Sequence, residues 1–216
     1  MVPPVKPAAA PEWANDDPAL EGCRTGRPEA IEHLFHAFAP TVQGVIGRLV
    51  GPTPDFEDLV QATFAEALAN LPRFRGEAKL STWLCAIAVH VAHHHLRSAK
   101  VRRHVPLELV AHDEEHASVF SMEASSADRN IDGRRLAAKL HALLDRIAPK
   151  KRIALLLYVM EDRSVEEIAA LMKATKTATR SRMYFARREL RKLVASDAEM
   201  RELASGLFET AREGLA

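Results

Sequence analysis

Arg180, Tyr184, Arg187 and Arg191 recur at i, i+4, i+7 and i+11. That spacing puts them on one face of a helix. Thr177, Thr179, Ser181 and Arg188 belong to the same segment. Arginine can read guanine in the major groove through two parallel hydrogen bonds, and a helix N-terminus favours a phosphate. Thr177, Arg180, Ser181 and Tyr184, nearest the helix start, are therefore the expected base readers, and Thr179 is a further expected DNA contact. Arg187, Arg188 and Arg191 are the expected phosphate contacts. Met183, Ala186, Leu190 and Leu193 fall on the opposite, inward face.

A second constellation pairs an aromatic with basic groups. Trp83, His90, His94 and Arg97 share one helical face, and Lys100, Arg102 and Arg103 follow. Stacking for bases beside charge for phosphates is what single-stranded nucleic acid requires. A third set is acidic. Glu57, Asp58 and Gln61 point away from the Val60/Phe64 stripe of their helix and suit a basic partner surface. His90, His93, His94 and His95 with Cys85 raise a zinc reading. His90 and His94 have the i, i+4 spacing of a metal pair, but no HExxH pattern accompanies them. No metal or other cofactor is expected.

The charge is unevenly placed behind a formal net of +1. Residues 134–194 hold sixteen Lys/Arg against six Asp/Glu, and residues 78–107 hold five Lys/Arg and no acid. Between them, residues 108–132 hold seven acids and one Arg. Clustered basic charge is the footprint of a nucleic-acid partner. Two cysteines without a CxxC argue against a disulfide framework. No signal-peptide h-region and no run of about 18 apolar residues is present, so a cytoplasmic protein without membrane insertion is expected.

Helical spacing dominates the chain, which predicts an all-α protein of two small helical domains joined by a flexible acidic linker. Residues 1–27 read as a flexible Pro-rich tail, with Trp13 the one side chain there that could dock. Residues 28–106 carry four predicted helices. Ile31, Leu34, Phe35 and Phe38 mark the first; Val42, Val45, Ile46 and Leu49 mark the second, beyond Pro40. Val60, Phe64, Leu68 and Leu71 mark the third, and Leu84, Ile87, Ala88, Val91 and His95 the fourth, from about Ser81 to Ala99. The linker spans 107–132. The second domain, 133–195, has Leu136, Leu140, Leu143, Leu144 and Ile147 on one face, then an apolar helix opened by Pro149. Ser164 and Glu167 have capping-box spacing. A turn at Lys173 to Lys176 leads into the basic helix, which makes a helix-turn-helix. Residues 196–216 are an amphipathic helical extension, with Met200, Leu203, Leu207, Phe208 and Ala211 sharing a face.

Two strings are distinctive together: Asp55-Phe56-Glu57-Asp58-Leu59-Val60-Gln61-Ala62-Thr63-Phe64, and Arg73-Phe74-Arg75-Gly76-Glu77-Ala78-Lys79-Leu80-Ser81-Thr82-Trp83-Leu84. With Glu166-Glu167-Ile168-Ala169 and the Arg180-Ser181-Arg182 run, the chain resembles bacterial sigma factors of the extracytoplasmic-function group from about Glu29 to Val194. These are small sigma-70 relatives that keep only regions 2 and 4. The resemblance implies a transcription initiation factor and not an enzyme. Asp55, Glu57, Asp58, Leu59 and Gln61 would dock on the β′ clamp helices of core RNA polymerase, with the β subunit as a further contact. Arg75, Gly76, Lys79, Ser81, Thr82, Trp83, His90, His94, Arg97, Arg102 and Arg103 would open and hold the −10 element. The basic helix would bind the −35 element. Promoter DNA, and an anti-sigma factor, join the partners it implies. A helix-turn-helix regulator that never joins polymerase is the alternative.

Three residues depart from the family pattern. Lys173 stands where Gly is usual, and a left-handed Lys costs on the order of 1–2 kcal/mol, which argues for a different turn. Phe185 replaces a frequent Arg, and Ala62 a common Glu. The two promoter elements imply a separation of about 25 base pairs, roughly 85 Å. A coil of the linker's length spans only about 25–30 Å. A free protein that is compact or variable in arrangement, and stretched by polymerase, is the expectation.

Overall fold

The structure is a computed structural model that describes residue 13, residues 17–104 and residues 127–201; the side chains of 103, 104, 127–132 and 134 are outside the description. All regular elements among the described residues are helical. They are α1 (Pro18–Arg24), α2 (Pro28–Val50), α3 (Phe56–Asn70), a 3-10 turn at Leu71–Arg73, α4 (Leu80–His104), α5 (Ala127–Leu144), α6 (Pro149–Met160), α7 (Val165–Leu171) and α8 (Lys176–Ser196).

The first domain departs from expectation in two places. Residues 18–24, expected as tail, form α1. Asp17 caps it by accepting from the Ala19 backbone N–H at 2.8 Å, and Pro18 sits in its first turn. Leu20 and Cys23 are buried, which anchors the short helix. Trp13 also docks: its ring centroid lies 5.1 Å from His33 and 5.5 Å from Phe38. The two helices expected on either side of Pro40 are one, α2. An interior Pro removes one helical hydrogen bond and strains the preceding turn. Phe38, Ala39, Val42, Val45 and Ile46 are all buried around it, and this packing carries the helix through. Gly51, at φ +80°, ends it.

In the second domain α6 is the buried centre, with Ile153 to Leu157 out of solvent. Leu144 and Ile147 pack with it, as do Ile168 and Leu171 and, from α8, Met183 and Ala186. α5 begins at Ala127, inside the stretch expected as linker. Residues 105–126, most of that linker, and 202–216, most of the expected C-terminal extension, lie outside the described residues. Met200 is buried, and Lys139 pairs with Asp197 at 3.3 Å and Glu199 at 2.7 Å, so the chain turns back along α5 after α8.

The two domains share one continuous apolar core. This explains the burial pattern of α4. Leu84, Ile87 and Ala88 are buried as expected, but so are Cys85, Val89, Ala92 and Leu96 on a second flank. One flank serves the first domain's own core; the other meets the second domain, where Leu96 shares a small cleft with Ile147, Pro149 and Arg152. Burial pushes the Cys85 thiol up to about 11, a packing cysteine rather than a reactive one.

Candidate nucleic-acid interface

Local chemistry sets the helix-turn-helix. Ser164 caps α7: its Oγ accepts from the Glu167 N–H at 3.2 Å, and Glu167 Oε2 accepts from the Ser164 N–H at 2.9 Å. The bond from the Ser164 backbone N–H, and then one that the Ser164 hydroxyl donates to the same Oε2 at 2.8 Å, hold the Glu167 carboxyl below its ordinary range. The helix closes with the Ala174 N–H donating to Ala169 O at 2.8 Å. That bond pattern places Lys173 at the position where a left-handed residue is needed. Lys173 takes it, at φ +46°. The turn therefore has the geometry that glycine normally supplies, and the sequence-based expectation of a different turn is overturned. The closing hydrogen bonds and the burial of Ile168, Ala169 and Leu171 hold the strained residue in place. Thr175 caps α8, accepting from the Ala178 N–H at 3.2 Å.

The outer face of α8 carries Thr177, Arg180, Ser181, Tyr184, Arg187, Arg188 and Arg191, all exposed. Tyr184 is 64% exposed. Among the described residues Arg180, Arg188 and Arg191 form no ion pair. The Arg187 guanidinium lies over the Tyr158 ring at 4.9 Å, which aims it. Phe185 is half-exposed, with Lys151 over its ring at 5.6 Å. Thr179 is a correction to the expected DNA contacts. It is 0% exposed and its hydroxyl donates to Thr175 O at 3.0 Å, so it packs the helix onto its own domain. Position 179 lies one residue before Arg180, about 100° round the helix and on the inner face with Met183 and Ala186.

In the first domain Arg75, Gly76 and Lys79 are exposed on the loop before α4, and Gly76 takes φ +73°. Ser81, Thr82 and Trp83 are half-buried at the helix start. The Trp83 ring sits 5.0 Å from buried Phe74, so one face of the indole packs and the residue is both core and surface. His90, His94, Arg97 and Arg102 are exposed along α4. The Arg103 side chain is outside the description. His93 and His95 are half-buried, and burial lowers the pKa of each. His95 Nδ1 lies 3.5 Å from Asp55. Among the described residues no group of three or more His, Cys, Asp or Glu is placed to hold a metal.

Glu57, Asp58 and Gln61 are exposed on the first turns of α3, where the helix dipole favours negative charge. Asp55 is half-exposed just before them. Leu59 is buried and anchors the helix, so it supports this acidic surface from beneath.

Residues 34–102 match the sigma-70 region 2 family model, and residues 137–190 match sigma-70 region 4. The RNA polymerase sigma factor CarQ of Myxococcus xanthus is 33% identical over 81% of this chain and 95% of its own length. The chain belongs to the extracytoplasmic-function group of the sigma-70 family. The extracytoplasmic-function RNA polymerase sigma-E factor of Escherichia coli is 29% identical over 82% of the chain and 92% of its own length. The fold is also that of the sigma factor RpoE of Bartonella quintana, solved with the anti-sigma factor NepR: TM-score 0.54, 21% identity, 77% of this chain and 97% of that one. In this sigma factor the region 2 match runs from within α2 to within α4, and the region 4 match from within α5 to within α8. The acidic start of α3 and the loop before α4 both lie in region 2, and the basic face of α8 lies in region 4. No described helix is long and apolar enough to cross a membrane.

Proposed function

We propose that this sigma factor directs core RNA polymerase to promoters by gripping DNA at two points. Region 4 lays the outer face of α8 in the major groove of the −35 element. Arg180, Ser181 and Tyr184 face base edges, and Arg187, Arg188 and Arg191 face phosphates. Region 2 offers Trp83 for stacking and His90, His94, Arg97 and Arg102 for the backbone of the opened −10 strand. Flipping a base out of the stack costs a few kcal/mol, and the loop of Arg75, Gly76 and Lys79 beside Ser81 and Thr82 is positioned to hold it. Glu57, Asp58 and Gln61 meet a basic surface of polymerase, the β′ clamp helices. Phosphoryl transfer belongs to the polymerase. An anti-sigma factor is a proposed regulator on the strength of the family's solved complexes.

The observation that carries this reading is the outer face of α8, basic, with Arg180, Arg188 and Arg191 in no ion pair among the described residues, on a capped helix-turn-helix. Run-off transcription with core polymerase on a promoter library tests it. Transcripts that require the protein support the reading. Promoter binding without capture of core polymerase in a pull-down overturns it in favour of a free-standing regulator.

A further inference from the structure

Arg152 is the largest of the fully buried side chains, at 1% exposure, and it is charged. A buried charge persists only with partners. In its own domain it pairs through Nη1 with Asp145, and Nη2 lies 3.1 Å from His141 Nδ1. Across the domain boundary its Nε donates to Leu49 O at 3.0 Å and its Nη2 to Val50 O at 2.7 Å. Those carbonyls close α2, where a helix carries unsatisfied acceptors and the negative end of its dipole. One guanidinium thus caps a helix of the other domain. Gly51 permits the approach: a Cβ there would stand 2.4 Å from His141 Nδ1. A second charged contact lies at the far end of α6, where Arg48 of α2 pairs with Glu161, whose side chain is 8% exposed.

We propose that these contacts form a latch that holds regions 2 and 4 in a closed, inhibited state, and that it must open for promoter binding. The inhibitory part rests on the function proposed above. A compact chain of this length has a radius of gyration of about 17 Å and is roughly 45 Å across. The two promoter elements lie roughly 85 Å apart. The closed body therefore cannot engage both. Losing either charged contact leaves its buried partner uncompensated in the closed form, which shifts the balance toward opening.

The test uses the full chain with a charge swap at the Arg48–Glu161 pair. Dyes on cysteines introduced by A69C and A195C, both exposed positions, report the distance between domains in free protein. R48E and E161R singly, by breaking a partly buried pair, are expected to shift the closed-to-open ratio on the order of tenfold toward the open form and to lengthen the mean distance. Each single variant raises transcription several-fold at limiting core polymerase, and the R48E/E161R double swap restores both readouts toward wild type. R152K is the second variant: it keeps the charge but loses the fork that bridges Leu49 O, Val50 O and Asp145, and it opens the chain as well. Unchanged distances in all single variants, with helix content intact, overturn the latch. Opened variants that transcribe no better than active wild type overturn its inhibitory role. Absence of transcription from wild type at any polymerase concentration, with distances still responding to the swap, counts against the sigma reading and for the latch.

Discussion

Acid should loosen the domain interface through one histidine. His141 lies against Arg152 and Asp145 beneath Gly51, and burial, then the Arg152 charge, pushes its pKa down to about 4. In an unfolded or opened chain it returns to the ordinary value near 6.5. A depressed folded-state value means that the folded state binds fewer protons, so its contribution is fully present above pH 6.5 and is lost as pH falls from 6.5 toward 4. Integrated between pH 7 and pH 5, that loss is about 2 kcal/mol. His93 and His95 are shifted the same way and add to the total, so a variant must isolate His141. H141N keeps a polar acceptor near Arg152 but does not titrate. Urea unfolding at pH 7 and pH 5 should show wild type losing about 2 kcal/mol more than H141N over this interval. Equal losses in the two proteins would refute the reasoning, because the neutral imidazole would then not be what the interface requires.

Ser164→Ala removes the α7 cap and should lower stability by about 1 kcal/mol, read by chemical denaturation. Lys173→Gly relieves a left-handed side chain and should raise the melting point, by about 1 kcal/mol of stability, while −35 binding stays unchanged. Arg180→Ala should weaken a cognate −35 duplex by about 1–3 kcal/mol and relax base preference, measured by competition with altered sites. Arg188→Ala should instead weaken all duplexes alike and reduce the slope of log affinity against log salt by about 1.

Much of the candidate site was legible because its signals are local. The i, i+4, i+7 spacing of Arg180, Tyr184 and Arg187 needs only helix geometry to place these residues on one face, and all three are exposed. Ser164 and Glu167 needed only capping geometry. Thr179 was misassigned because its residue type suits DNA while its angular position, beside Met183, faces the core. Lys173 was misjudged because a single-residue cost was weighed without the hydrogen bonds and buried neighbours that offset it. Pro40 was read as a break because the packing that carries α2 through it comes from other helices.

What the chain determined by itself was helical class, the two basic blocks and the acidic segment between them, the cap of the helix-turn-helix, and the acidic first turns of α3. Each of these follows from side chains a few residues apart, where backbone geometry alone fixes who meets whom. What only the tertiary structure decided was the contact between the domains. Arg152 and Leu49 lie 103 residues apart, and Arg48 and Glu161 are 113 apart. In the sequence Arg152 is one more basic residue in a basic block, and no periodicity marks it as the charge that caps a distant helix. That meeting depends on how two apolar cores merge along the second flank of α4, a property of packed surfaces that no local pattern encodes.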